Sequence, residues 1–149
     1  MIDSSFPRPK DKQMTKIFEG FRENAYRCTA GHLTIGYGFN LDNPAVVALG
    51  IGRTISQEAA DRYFEILYMD AVIGAGHYVG SDVWDKLKDD HRAILTDMIY
   101  NLGASKLNTF IKLKAAWQAG DLAGVRREMT NSKWFSQTGR RARALVDMV

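Results

Sequence analysis

The segment FEGFRENAYRCTAGHLTIGYG, residues 18–38, collects three side chains that could share one reaction. Glu19 stands just before a glycine, between Phe18 and Phe21 of an apolar stripe. Partial desolvation raises a carboxyl pKa, and a carboxylic acid kept protonated near neutral pH can act as a general acid. Cys28 is the only cysteine, and Thr34 follows it beyond a TAG turn signal. A thiol beside a hydroxyl could hold a water molecule. Gly31, Gly36 and Gly38 would permit tight turns and close approach of a ligand to the backbone. Each residue also has a plainer reading when taken singly. Glu19 could be a solvent-facing glutamate beside a helix end, and a lone cysteine is commonly a small buried residue.

These residues need elements to position them. Met14, Ile17, Phe18 and Phe21 recur at i, i+3, i+4 and i+7, which predicts a helix over about Lys10–Glu23. Residues 25–40 are rich in β-branched and aromatic types broken by Gly, which predicts an antiparallel hairpin or three-stranded sheet. The turn would put Cys28 and Thr34 on opposing strands, where cross-strand side chains approach. Pro44 is placed to open a short helix and Ser56 to cap a long amphipathic one. A short helix follows, then one over about Asp90–Leu102, whose wide apolar face (Ile94, Leu95, Met98, Ile99, Leu102) marks it as central and mostly buried. Gly103 would end it. Three further short helices are expected over about 110–119, 122–129 and 140–147. The pattern is α+β and mostly helical. It predicts a single domain over 1–149, with a small β-lobe at about 24–55 and a helical lobe at about 75–149. A long helix would join the lobes, and the helix at 10–23 would pack on the helical one.

The 149 residues, 46% hydrophobic, can bury a core of ordinary globular size. The net charge of +3 is uneven: residues 110–149 carry eight Lys or Arg against three Asp or Glu. A basic end fits either a polyanionic partner or a solvated charged face. One cysteine forms no internal disulfide, so the fold is expected to tolerate a reducing compartment. The opening MIDSSFPRPKDKQ is polar, with two prolines, and is expected to encode neither a signal peptide nor a signal anchor. The three His lack metal-ligand spacing, and no phosphate loop is present.

Read together, the pieces are more specific. EG-x-R at 19–22, Tyr26, Cys28 and TAG-x-x-TIGYG through Gly38 resemble the catalytic segment of T-even-type bacteriophage lysozymes, glycoside hydrolase family 24. The family signature is Glu, eight residues, Asp or Cys, five residues, Thr, which Glu19, Cys28 and Thr34 meet. DMIYNLGASKLNTF (97–110) resembles the family's central helix and following turn, and SKWFSQTGRRARALV (132–146) its W-[YF]-x-Q-T-x-x-R-A segment. The likeness runs from about Met14 onward.

The resemblance implies a lysozyme-like fold and an inverting muramidase. Such an enzyme cleaves the β-1,4 bond between N-acetylmuramic acid and N-acetylglucosamine in peptidoglycan. Glu19 would protonate the leaving oxygen. Cys28, where Asp is usual, would position or activate the attacking water together with Thr34. Tyr100, Asn101, Leu113 and Glu128 match sugar-binding positions. Tyr100 could equally be core packing, and Leu113 and Glu128 are unlike the polar residues expected there. Arg141 matches an arginine near the acid, where its charge would lower a carboxyl pKa. Two departures, Phe18 for Asp and Phe39 for His, remove ionisable groups from around the site. No cofactor or metal is implied. The implied partner is peptidoglycan, met by a monomer that binds no nucleic acid and does not insert in membranes. The protein would be made in a host bacterial cytoplasm and released to the periplasm and cell wall through a separately encoded pore. An interbacterial effector or tail component would share this sequence pattern. The alternatives are a peptidoglycan-binding module that has lost activity, or a lytic transglycosylase in which a single glutamate suffices.

Overall fold

A left-handed glycine decides where the acid-bearing helix stops. Helix α1 spans Pro9–Glu19, and Gly20, at φ +71°, donates its N–H to the Lys16 carbonyl at 2.8 Å. Gly tolerates this conformation without a Cβ clash and is the usual residue just past a helix end. The apolar spacing predicted a helix that ends four residues later, at about Glu23, because Phe21 continued the stripe. In the structure Phe21 lies beyond the helix, and Ile17, a second stripe member, is 69% exposed. The helix buries Asp11 and Thr15 instead. Glu19 is therefore the last residue of α1.

A computed structural model describes residues 5–149. The expectation of a polar opening segment falls partly on residues 1–4, outside the described residues. The chain forms two compact units, residues 9–70 and residues 5–8 with 71–149.

In the 9–70 unit, α1 is followed by a three-stranded antiparallel sheet in the order β1 (Arg22–Arg27), β2 (Leu33–Gly36), β3 (Phe39–Asn40). Its register pairs Arg22 with Gly36, Tyr26 with Thr34, and Thr34 with Asn40. The register shifts between Arg22 and Tyr26, so β1 bulges there. The bulged stretch turns to another partner: Ala25 N–H donates to Arg53 O, Ile55 N–H to Glu23 O, and Asn24 bridges Thr54. Helix α2 (Pro44–Val47) opens on Pro44, with Asn43 capping Ala45 N–H. Helix α3 (Gln57–Val79) starts at Ser56, whose hydroxyl accepts from Ala59 N–H at 3.1 Å. Ile35, Tyr37, Phe39, Val46, Ile55, Phe64 and Tyr68 form this unit's core. Tyr37 is its hub, with ring centroids 5.6 Å from both Phe21 and Phe64.

Helix α3 ends in the other unit, which is otherwise α4 (Ser81–Lys86), α5 (Asp89–Leu102), α6 (Ala104–Leu107), α7 (Ile111–Ala119), α8 (Leu122–Thr130), α9 (Lys133–Thr138) and α10 (Arg140–Asp147). Every residue of α5 from His91 to Ile99 is buried, as a central helix requires. Arg92 fastens its start, donating from Nε to Trp84 O at 2.9 Å and from Nη2 to Asp85 O at 3.0 Å. These carbonyls lie at the end of α4, where Trp84 O also accepts from Leu87 N–H at 3.2 Å. The segment 5–8 is tied to the same place: Arg8 Nη2 lies 2.8 Å from Asp90 Oδ1, and Ser5 Oγ donates to Asp89 Oδ2. Trp117, Leu113, Val125, Met129, Trp134 and Leu145 pack around α5 within this unit's core. Helix α9 was not anticipated. Ser132 caps it, accepting from Phe135 N–H at 3.2 Å. Strands occur only in the first third, and the architecture is α+β, as the sequence predicted.

Candidate active site

The 9–70 unit brings Glu19, Cys28 and Thr34 around one strand pair. Glu19 is held at the end of α1 and half-buried. Its carboxyl lies against the α-carbon of Gly38, in the turn between β2 and β3. A Cβ built on Gly38 would collide with Oε1 and stand 2.7 Å from Cδ. Tyr26, on β1, is electrostatically coupled to both Glu19 and Cys28. Burial raises its pKa first, the charge of Glu19 raises it further, Arg22 opposes, and Cys28 adds a smaller rise. Arg22 also stacks over the Tyr26 ring, 4.3 Å from its centroid.

Cys28 lies one residue past the end of β1, on the turn that leads to β2. Its N–H donates to His32 O at 2.9 Å, and Gly31 N–H returns to Cys28 O at 2.8 Å. Burial alone would push the thiol pKa up. The backbone N–H groups of His32 and Ala30, the Thr34 side chain and the Gly31 N–H more than offset it, so the thiol sits below its ordinary value. The thiolate is thereby favoured, because each of these groups donates to the charged form. Thr34, buried on β2, donates to His32 O at 3.0 Å and is among the groups that lower the Cys28 thiol pKa. Its single proton serves one acceptor at a time. The sequence placed Cys28 and Thr34 on opposing strands; in the structure Thr34 is on β2 and Cys28 belongs to the turn before it.

Phe39, on β3, is 2% exposed, and a Cβ on Gly36 would meet its ring. His32 Nδ1 is 3.6 Å from Asp42 Oδ2 at an exposed rim. Among the described residues no cluster of three or more His, Cys, Asp or Glu is arranged to hold a metal ion.

The remaining residues singled out in the sequence lie in the other unit. Tyr100 and Asn101 end α5. Tyr100 is half-buried, and Asn101 Oδ1 accepts from Trp134 Nε1 at 3.0 Å. Glu128, on α8, is half-buried beside Arg127 at 3.4 Å. Leu113, on α7, is 1% exposed, so its side chain is part of the packing. Arg141 opens α10 and grips Asp97 of α5 through Nε to Oδ2 at 2.7 Å and Nη2 to Oδ1 at 3.0 Å. Asp97 was missed in the sequence. A polar residue inside the apolar stripe of a central helix is the signal that could have found it.

The chain is mostly helical with one small three-stranded antiparallel sheet, the α+β composition of a lysozyme-like fold. The phage lysozyme family model matches residues 16–148, and the chain belongs to that family. An endolysin of Acyrthosiphon pisum secondary endosymbiont phage 1 is 28% identical over 123 residues, covering 81% of this chain and 74% of that protein. A probable T4-type lysozyme 2 of Dictyostelium discoideum is 27% identical over 158 residues, covering 92% and 91%. A SAR-endolysin of Escherichia phage P1 is 32% identical over 116 residues, covering 78% of this chain and 54% of that protein.

Proposed function

We propose that this lysozyme hydrolyses the β-1,4 bond between N-acetylmuramic acid and N-acetylglucosamine of peptidoglycan, with inversion. The observation that carries the reading is the phage lysozyme family match over residues 16–148, with Glu19 at the end of α1, Cys28 in the β1–β2 turn and Thr34 on β2 at the family's spacing. Glu19 delivers its proton to the glycosidic oxygen as the C1–O bond breaks. A water held by Cys28 and Thr34 attacks C1 from the opposite face and gives its proton to the thiolate. Both groups return to their starting states by exchange with solvent. Inversion needs room for that water between acid and base. A thiolate can take the role usually given to Asp because the donors around it raise the charged fraction near neutral pH.

On the same reading, Tyr100 stacks on a sugar face, Asn101 bonds an acetamido group, and Glu128 contributes a rim contact. Leu113 acts only through the packing of α7, and Arg141 tunes the acid's surroundings. The protein acts alone as a monomer on cell-wall glycan, without nucleic acid, cofactor or membrane insertion. Among the described residues no helix is long and apolar enough to cross a membrane. A phage lysis role, with release through a separate pore, agrees with two relatives named as endolysins.

The test is digestion of purified Gram-negative sacculi by the wild type and Glu19→Gln, with released fragments identified by mass. Reducing muramic acid ends, lost in the variant, are expected. Anhydro-muramic ends would replace hydrolysis with transglycosylation. Binding without release would leave a recognition module.

A further inference from the structure

Among the described residues nine glycines adopt positive φ, and Gly38 differs from most of them. At Gly20, Gly31 and Gly50 an added Cβ would meet nothing within 4 Å. At Gly38, φ +72°, it would meet all three terminal atoms of the Glu19 side chain: Oε1 in collision, Cδ at 2.7 Å and Oε2 at 3.3 Å. Backbone strain alone requires glycine at all four positions. Only Gly38 adds a steric demand from the carboxyl of the residue read as the acid.

A second link joins the same two elements. Lys16 stands one helical turn before Glu19, and Tyr37 immediately precedes Gly38. Asp61 of α3 receives both: Tyr37 Oη donates to Oδ1 at 2.7 Å and Lys16 Nζ to the same oxygen at 3.2 Å. Lys16 Nζ also lies over the rings of Tyr37 and Phe64, at 5.2 and 5.0 Å. Gln57 Nε2 donates to Tyr37 Oη at 3.3 Å. The end of α1 and the β2–β3 turn are therefore held at a fixed separation beside the carboxyl.

We propose that Gly38 is a positioning residue: its bare α-carbon is the seat of the Glu19 carboxyl, and the Lys16–Asp61–Tyr37 bridge holds that seat against the helix end. Any side chain at 38 displaces the acid. A misplacement of about 1 Å at a reacting group can cost roughly a hundredfold in rate. The catalytic part of this inference rests on Glu19 being the acid, and the steric part does not.

The experiment is a double-mutant cycle with Gly38→Ala, Glu19→Ala and the double variant, followed by thermal unfolding. Gly50→Ala serves as the control for backbone strain alone. Gly38→Ala should lower the Tm more than Gly50→Ala, and that excess should vanish in the Glu19→Ala background. An equal loss with and without Glu19 overturns the seat. If Gly38→Ala alone fails to fold while the double variant folds, the coupling is shown in stronger form. Failure of both overturns it. With soluble peptidoglycan fragments, Gly38→Ala should lose about a hundredfold in kcat with KM held. Asp61→Asn, which leaves the seat open, should lose kcat more modestly, also with KM held. Unchanged kcat in Gly38→Ala overturns the positioning role. Full activity in Glu19→Gln would instead sink the acid assignment and leave the stability cycle to judge the seat.

Discussion

Arg141 and Asp97 form a two-point ion pair in which the carboxylate is fully buried and the guanidinium nearly so. It fastens the start of α10 to the middle of α5. A buried ion pair adds little over a well-packed apolar pair, but breaking it strands a charge. Asp97→Ala should therefore cost about 3–5 kcal/mol of unfolding free energy. Urea unfolding checks this. A loss below about 1 kcal/mol would mean that the guanidinium readily finds other partners, as surface pairs do.

Cys28 gives the site a chemical signature. Its lowered pKa predicts alkylation by iodoacetamide at pH 7 faster than a free thiol in a short peptide, with loss of lytic activity in parallel. Thr34→Val removes a donor to the thiolate and should slow the labelling. Cys28→Ala should lose roughly 10²- to 10⁴-fold in kcat, as expected for loss of a general base, while Cys28→Asp keeps activity and escapes alkylation. Alkylation that leaves lysis intact would remove Cys28 from the reaction.

His91 predicts an acid weakness in the helical unit. It is buried on α5 with its ring 5.2 Å from Trp117. Burial lowers its pKa below 6.5, Lys88 lowers it further, Asp90 opposes, and Arg126 adds to the fall. The folded state thus binds this proton less readily than the unfolded chain does. The stability from a neutral His91 is complete above about pH 6.5, the unfolded value, and is lost as pH falls from there through the folded value. The Tm measured from pH 7.5 down to 5 should drop, and His91→Phe should flatten that part of the curve. An equally steep drop in the variant assigns the effect to other groups.

Thr96 is fully buried on α5, and its hydroxyl has no hydrogen-bond partner among the described residues. An unsatisfied buried hydroxyl costs about 1–3 kcal/mol of desolvation. Thr96→Val keeps the branched shape and removes that cost, so the Tm should stay level or rise. A fall of several degrees would point to a partner that the hydroxyl acquires in solution.

The sequence carried the secondary structure well wherever periodicity and punctuation agreed. Pro44, Ser56 and Gly103 mark element ends in the structure as they did in the sequence. Where the two signals conflicted, punctuation won: Phe21 extended the stripe, but Gly20 ended α1. Helix α9 was hidden because Trp134 is its one buried residue, so no apolar repeat marks it in the sequence. Within the site, the Glu–Cys–Thr spacing was legible because a helix end and one hairpin are close in sequence. The bridge through Asp61 and the grip of Arg141 on Asp97 were not. They join residues 24 and 44 positions apart, and a lone Asp on a helix announces no partner. Gly38 was legible as a turn former, but its contact was not, since what leans on a glycine is set by tertiary packing.

The bulge in β1 has a consequence for how these molecules behave in a crowd. A short sheet normally leaves its outer strand as a template on which a second chain can pair. Here the bulged stretch spends its amides and carbonyls on residues 53–55 of the same chain. The outer rim beside the reactive turn is therefore already zipped to its own backbone, which denies neighbouring copies a foothold for strand-to-strand aggregation.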